Sequence, residues 1–110
     1  MRDPVVTPSL RPPAVVAVLG GGNMGSGIAQ ACAQAGFSVR VRDVDDPSIA
    51  RGRGLIEKML TGAVERGKLA PVQRDEVLAR VTFTTDLVEA VRGAALVIEA
   101  VFEEESVKRT

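Results

Sequence analysis

The sequence predicts an α/β fold in which helices cover both faces of a parallel sheet. Three observations support it. Short apolar or β-branched runs alternate with helical segments, a glycine cluster directly follows the first run, and residues 94–98 are continuously apolar. The last run is typical of a central parallel strand buried on both faces. Right-handed crossovers give four strands in the order 3-2-1-4, an incomplete doubly wound sheet.

Residues 14–43 predict a strand, a tight turn, a helix and a second strand. Gly20, Gly22 and Gly25 fit the pattern G-x-G-x-x-G. Gly20 permits the turn, Gly22 lacks a Cβ so that a pyrophosphate can approach the backbone, and Gly25 lets the helix pack closely on the strand. The helix directs its free N–H groups and the positive end of its dipole at the phosphates.

The surroundings of the glycines favour a ligand site over a plain glycine turn. An apolar strand precedes them, and five residues of the following helix recur at helical spacing, which predicts a buried stripe of Met24, Ile28, Ala31, Cys32 and Ala35. Asp43 closes the second strand. This context is typical of a dinucleotide-binding turn.

Asp43 favours NAD over NADP. A carboxylate at the end of the second strand accepts hydrogen bonds from the adenosine ribose hydroxyls and repels a 2′-phosphate. Arg40 and Arg42 alternate along the same strand. In the alternative interpretation, an arginine near the end of this strand pairs with a phosphate. Solvated or salt-bridged arginines are the interpretation that we prefer.

The remaining chain supplies the other elements. Residues 1–13 hold four of the six prolines and predict a flexible tail before a domain over 14–110. A long helix is predicted from a cap at Asp46 to about Arg66, followed by a short helix over 72–80 with Val77 and Leu78 inward, and a strand over 81–84. Asp86 and Glu89 predict a capping pair for a further helix, which Gly93 ends.

Composition narrows the function. The net charge is zero and aromatic residues make up 3% of the chain, which argues against a nucleic-acid partner. No run is long enough to span a membrane and no signal sequence opens the chain, so we expect a cytoplasmic location and no membrane partner. The single cysteine, Cys32, is expected to be a buried, inert thiol, and the pattern indicates no metal site.

The sequence resembles the 3-hydroxyacyl-CoA dehydrogenase family, of the short-chain or 3-hydroxybutyryl-CoA type. The similarity covers about residues 14–110. It begins in the glycine turn, where Asn23 and Met24 join the glycines. It continues through four later motifs, which are Arg51-Gly52, Gly67-Lys68-Leu69, Thr84-Thr85-Asp86-Leu87, and the stretch from Leu96 through Glu103 to Lys108.

The resemblance implies a Rossmann-type fold, NAD as cofactor and an acyl-CoA or acyl thioester substrate. By resemblance, Glu103 and Lys108 contact NAD around the ribose and the nicotinamide, although acidic capping of a helix is the alternative for residues 103–105. The resemblance also allows the cations of the long helix a weak role in binding a phosphate of CoA. The alternative is that these cations form a solvated face, which contains Arg51, Arg53, Lys58 and Arg66.

The implied reaction is oxidation of an L-3-hydroxyacyl thioester with hydride transfer to NAD, in fatty acid metabolism. The implied general base is a His held by a Glu. The chain contains no histidine, so we expect an inactive N-terminal fragment with no catalytic residue. This fragment would keep the dinucleotide crevice. It would also have an uncovered edge on strand 4, which favours self-association.

Three alternatives stay open from the sequence. The chain could be a stand-alone nucleotide-binding or regulatory module, or an interaction fragment without a ligand. The intact glycines and Asp43 argue against the second of these. A third alternative is a related dehydrogenase that reduces imines or oxidises other β-hydroxy acids, and residues 99–103 argue against it.

Overall fold

The computed structural model describes residues 12, 14–20 and 22–100. The predictions for the tail over 1–13 (apart from residue 12), for Glu103 and for Lys108 lie outside the described residues. The described elements, in chain order, are β1 (Val15–Leu19), α1 (Asn23–Gln34), β2 (Ser38–Arg42), α2 (Asp46–Glu65), α3 (Pro71–Ala79), β3 (Val81–Thr84), α4 (Leu87–Val91) and β4 (Leu96–Glu99). The alternation of strands and helices confirms the predicted α/β class.

The sheet has the predicted topology. Four parallel strands lie in the order β3-β2-β1-β4. Val18 of β1 is opposite Val41 of β2 on one side and Ile98 of β4 on the other. Val16 and Val18 of β1 and Val39 and Val41 of β2 are buried, and they form the core with Ile56 and Leu60 of α2. This register brings the carboxyl ends of β1, β2 and β4 to one edge.

The face of α1 that packs on the sheet differs from the predicted stripe. Met24, Ala31 and Ala35 are exposed, whereas Ile28 and Cys32 are partly buried. The residues that are fully buried are small: Gly25, Ser26, Ala29 and Ala33. The prediction of the stripe was wrong for Met24, Ala31 and Ala35, because the small residues Gly25, Ser26, Ala29 and Ala33 form the buried side of α1 instead.

Helix α2 matches the predicted span, with a shift of one residue at its cap. The N-cap is Asp45, not Asp46, and its carboxylate accepts a hydrogen bond from the Ser48 N–H at 2.9 Å. Gly67 follows the helix with φ of +74°, as expected for a residue that ends a helix. The helical spacing of the apolar residues predicts Met59 on the inner side of this helix, but Met59 is 40% exposed.

The last two helices confirm most of their predictions. Val77 of α3 is buried. Asp86 caps α4, and its carboxylate accepts a hydrogen bond from the Glu89 N–H at 3.1 Å. The reciprocal half of the capping pair was wrong, because the Glu89 carboxylate accepts instead from the Thr84 hydroxyl at 2.9 Å.

Strand β4 is less buried than predicted. It spans Leu96–Glu99 and pairs with β1 on one side. Leu96 is 39% and Val97 45% exposed, so the predicted burial on both faces is wrong. Within the described residues, β4 is the outer strand of the sheet, as the expectation of an uncovered edge required.

None of the helices in the described part of the chain is both long and apolar enough to cross a membrane.

Candidate functional site

A cleft of about 670 Å³ lies at the carboxyl edge of the sheet. It opens where the strand order reverses between β1 and β4, which is the place where open α/β sheets bind ligands. Its volume is within the range of small-molecule sites. The residues that line it are Leu19, Gly20, Gly22, Asn23, Met24, Arg42, Asp43, Val44, Leu87, Glu99 and Ala100. Five of the predicted cofactor-binding residues therefore share this cleft.

Gly20 begins the turn after β1, and backbone hydrogen bonds hold this turn to the ends of the two neighbouring strands. The φ of Gly20, +104°, belongs to the region that favours glycine. Its N–H donates to the Arg42 carbonyl at 2.8 Å, and the Ala100 N–H donates to the Leu19 carbonyl at 2.9 Å. The turn after β1 is thus held between the ends of β2 and β4.

Gly22 leaves the start of α1 open to a ligand. It is the N-cap of α1, and no described side chain caps that end of the helix. A Cβ placed on Gly22 would meet no protein atom within 4 Å. The first backbone N–H groups of α1 and its positive dipole end are therefore accessible, as a pyrophosphate site requires.

Gly25 is required by the packing of α1 against the glycine turn. A Cβ on Gly25 would lie 1.7 Å from the Gly20 carbonyl oxygen and 3.5 Å from the Cβ of Ala100. Close packing was predicted, and the tightest partner is the backbone directly after β1. Gly25 does not line the cleft, so its role is to bring the helix terminus to the turn.

Asn23 and Met24 form the first turn of α1 at the mouth of the cleft. Met24 is 54% exposed, which removes it from the core and places it on the cleft wall. A thioether adapts to irregular apolar surfaces. Met24 therefore lies at the cleft, and its predicted core position was wrong.

Asp43 directly follows β2 and faces the cleft. Its N–H donates to the Thr84 carbonyl at 3.2 Å, and its Oδ1 accepts a hydrogen bond from the Val44 N–H at 2.7 Å. These bonds fix the backbone and the carboxylate at the end of the strand. A carboxylate here is placed to accept hydrogen bonds from ribose hydroxyls.

The two arginines of β2 have different surroundings. Arg40 donates through Nη1 to carbonyls at the end of α4, among them that of Glu89 at 3.1 Å, and it does not line the cleft. Arg42 donates through Nε to the Thr85 carbonyl at 3.0 Å and does line it. Neither arginine forms an ion pair with a carboxylate in the described residues, so the salt-bridged form of the preferred interpretation finds no support there.

The sequence interpretation missed two apolar cleft residues, Val44 and Leu87, which add exposed surface. Arg42, which the sequence offered only as an alternative partner for a phosphate, adds a cation. Leu87 was predicted only as part of a helix. Its position just after the end of β3 was the available signal, since ligands meet the carboxyl ends of parallel strands. Residues 99–103 follow strand β4, and Glu99 and Ala100, their described part, line the cleft.

A second, smaller cleft of about 390 Å³ adjoins the first. Gly22, Asn23 and Asp43 line both clefts. Of the predicted basic face of α2, Arg51 and Lys58 line the second cleft. Arg53 instead stacks on the Phe83 ring, with 4.8 Å between its Cζ and the ring centroid.

Cys32 is partly buried, and this burial raises the pKa of its thiol. A thiol with a raised pKa forms little reactive thiolate, which agrees with the predicted inert role. Within residues 14–20 and 22–100, no group of three or more acidic or cysteine side chains is arranged to hold a metal ion.

The fold and the cleft together define a dinucleotide-binding domain of the Rossmann type. Comparison with protein families specifies it further. The profile of the family described as 3-hydroxyacyl-CoA dehydrogenase, NAD binding domain, matches residues 15–110. The chain belongs to this family, and NAD is the cofactor of the family. The open surface at Gly22, the free terminus of α1 and the carboxylate of Asp43 fit that cofactor.

Individual relatives agree with this assignment. The chain is 47% identical over 93 residues to the 3-hydroxybutyryl-CoA dehydrogenase of Mycobacterium tuberculosis, covering 84% of this chain and 32% of the relative. It is 42% identical over 92 residues to the fatty acid oxidation complex subunit alpha of Acinetobacter baumannii, covering 84% of this chain and 13% of that protein.

A solved structure shows the same architecture. The crystal structure of M. tuberculosis FadB2 superposes with a TM-score of 0.78 at 47% identity, covering 84% of this chain and 32% of that chain. This chain therefore spans about a third of the length of these mycobacterial proteins.

Proposed function

We propose that the chain binds NAD in the main cleft and forms the cofactor-binding part of an NAD-dependent L-3-hydroxyacyl thioester dehydrogenase of fatty acid metabolism. One observation carries the proposal. The glycine turn at the open terminus of α1 and the carboxylate of Asp43 line one cleft at the carboxyl edge of the sheet. A dinucleotide needs both features, one for its pyrophosphate and one for its adenosine ribose.

Each predicted residue has a role in this proposal. The pyrophosphate lies over Gly22 and accepts hydrogen bonds from the first N–H groups of α1, beside Asn23 and Met24. Gly20 shapes the turn and Gly25 brings the helix to it. The carboxylate of Asp43 accepts hydrogen bonds from the adenosine ribose. Outside the described residues, Glu103 and Lys108 are proposed to contact the ribose and nicotinamide end.

The proposed reaction needs residues that the chain does not contain. Oxidation of a 3-hydroxyl requires a general base for the hydroxyl proton while the hydride passes to NAD. The resemblance implies a histidine for this role, and the 110 residues include none. We therefore expect the isolated chain to bind NADH without oxidising 3-hydroxybutyryl-CoA. A stand-alone, cytoplasmic nucleotide-binding or regulatory module would give the same binding result.

A calorimetric titration tests the proposal. NADH is titrated into the wild-type chain, into Asp43→Ala and into Asp45→Ala. Asp45 is a matched control because it lies two residues further along and lines neither cleft. We expect binding to the wild type, about tenfold weaker binding to Asp43→Ala, and unchanged binding to Asp45→Ala. Equal affinity of all three proteins for NADH would refute the role of Asp43.

The exposed outer strand also supports a proposal on association. Leu96 and Val97 of β4 are exposed, and the described residues leave one edge of β4 without a partner strand. Apolar edges of this kind favour pairing between chains. We expect the isolated chain to self-associate at high concentration, and Val97→Lys to reduce this. A concentration-independent monomer in size-exclusion chromatography would contradict the expectation.

A further inference from the structure

Among the described residues that line the main cleft, Arg42 is the only cation. It is the last residue of β2, and alternation along this strand buries Val39 and Val41 on one face while Arg40 and Arg42 lie on the other. A basic side chain at this place is unexpected in a site that favours NAD, because a cation beside the adenosine ribose favours a 2′-phosphate.

The guanidinium of Arg42 is held in place. Its Nε donates to the Thr85 carbonyl at 3.0 Å, which fixes one edge of the planar group against the loop between β3 and α4. No described residue accepts a hydrogen bond from its two terminal nitrogens. A guanidinium that is oriented in advance loses little entropy when it binds a phosphate with two parallel hydrogen bonds.

The charge of Asp43 opposes that of Arg42 in the same cleft. The charged residues in the described part of the lining are Arg42, Asp43 and Glu99, so this part carries more negative than positive charge. A phosphate on the ribose would meet the carboxylate of Asp43, which directly follows Arg42 in the chain. Neutralising Asp43 removes this repulsion and leaves the guanidinium in place.

We propose that Arg42 is a latent ligand for the ribose 2′-phosphate of NADP, and that the single negative charge of Asp43 suppresses it. The proposal rests on the proposed function, because it assumes that the adenosine ribose lies at Asp43. It makes cofactor selectivity depend on the pair of Arg42 and Asp43 and not on the carboxylate alone. One isosteric substitution, Asp43→Asn, is then sufficient to admit NADPH.

Calorimetric titration of NADH and NADPH into matched variants tests this pair. We expect Asp43→Asn to bind NADPH at least about tenfold more tightly than the wild type and NADH more weakly. In the Asp43→Asn background, Arg42→Gln removes the gain for NADPH and leaves NADH binding nearly unchanged. Arg42→Lys in that background keeps part of the gain, because it retains the charge without the planar fork.

Arg40 provides the internal control. It lies two residues earlier on the same face of β2, but its Nη1 group is bonded to carbonyls of α4 and it does not line the cleft. Arg40→Gln in the Asp43→Asn background should therefore keep the gain for NADPH. Thermal unfolding monitored by circular dichroism identifies any variant that has lost its fold.

The outcomes separate this inference from the proposed function. If the wild type binds NADH but Asp43→Asn gains no affinity for NADPH, the inference about Arg42 is wrong and the NAD site stands. The inference is also wrong if the gain persists without Arg42 or disappears equally without Arg40. If the folded wild type binds neither nucleotide, the proposed function fails and the inference fails with it.

Discussion

Substitution of Gly25 by alanine tests how the glycine turn is built. The added Cβ would lie 1.7 Å from the Gly20 carbonyl oxygen, which is half of the 3.4 Å at which ordinary contact begins. The obstacle is backbone on both sides, so no side chain can rotate away. Either α1 or the turn after β1 must move, and the terminus of α1 then leaves its place at the cleft.

The size of the effect follows from two opposing terms. Overpacking of a rigid site costs up to about 3 kcal/mol, while alanine in place of glycine inside a helix contributes about 1 kcal/mol of stability. The expected net loss for Gly25→Ala is about 2 kcal/mol, or roughly 10 °C in Tm for a domain of this size. Urea and thermal unfolding, followed by circular dichroism, measure both quantities.

Gly27→Ala is the matched control for Gly25→Ala. Gly27 lies in the same helix, is exposed, and would meet no protein atom within 4 Å of an added Cβ. Here only the helix propensity changes, so we expect a gain of about 0.5 to 1 kcal/mol. NADH binding should fall in Gly25→Ala and persist in Gly27→Ala. Stability changes of the same sign and size in both variants would refute the argument from packing.

Three further predictions concern groups outside the cleft. Arg80→Gln should cost about 1 kcal/mol, because Nη1 of Arg80 donates to the Ala33 carbonyl at the end of α1 at 2.7 Å; urea unfolding measures this. Asp45→Ala should lower Tm, and the difference from wild type should shrink as pH falls below about 4, because the side-chain hydrogen bond with Ser48 lowers the pKa of Asp45. Cys32 should react slowly with iodoacetamide at neutral pH and rapidly in urea, since burial raises its pKa.

The sign of the pH effect at Asp45 follows from linkage. The folded chain holds the carboxylate form more strongly than the unfolded chain, so the stabilisation is present above the ordinary pKa of 3.8 and is lost as pH falls through the lowered value. Asp46→Ala, at an exposed site, serves as the control for Asp45→Ala, and Arg74→Gln, whose guanidinium pairs with the exposed carboxylate of Asp75, serves as the control for Arg80→Gln. A difference in Tm that persists undiminished at pH 2 would contradict the role assigned to the Asp45 carboxylate.

The strands and their order were predictable because their signals are local. β1, β3 and β4 are short apolar or β-branched runs and β2 alternates between apolar and polar residues. The doubly wound pattern that follows a glycine turn of this kind then supplies their order. The glycine turn was predictable for the same reason. Its three glycines have conformational or steric requirements that few other residues meet.

The buried faces were less predictable, because burial depends on the distance between elements. In α1, the close approach at Gly25 places the small side chains of Ala29 and Ala33 in the interface. Met24 lies at the cleft instead. The helical spacing of the apolar residues had predicted instead a buried stripe that included Met24. In β4, continuous apolarity indicated burial on both faces, although the strand is the outer one of the described sheet.

The residues of the cleft also differ in how well the sequence predicted them. Gly20, Gly22 and Asp43 are identified by motif and spacing. Leu87 is recognised as a cleft residue only when the ends of β2, β3 and β4 are brought to one edge, and the sequence alone did not decide between Arg40 and Arg42. Sequence spacing also gave no indication that Arg42 is held by the Thr85 carbonyl while Arg40 is held by α4.

The most direct test of the central claim is a titration of the ¹⁵N-labelled chain with NADH, followed by amide chemical shifts. The account predicts that the amides of Gly20, Gly22, Asn23 and Asp43 shift together and saturate with one dissociation constant. The amides of Gly67 and Gly93, which lie outside both clefts, should stay in place. Saturable shifts elsewhere, with the glycine turn and Asp43 unaffected, would contradict the assignment of the cleft as the NAD site.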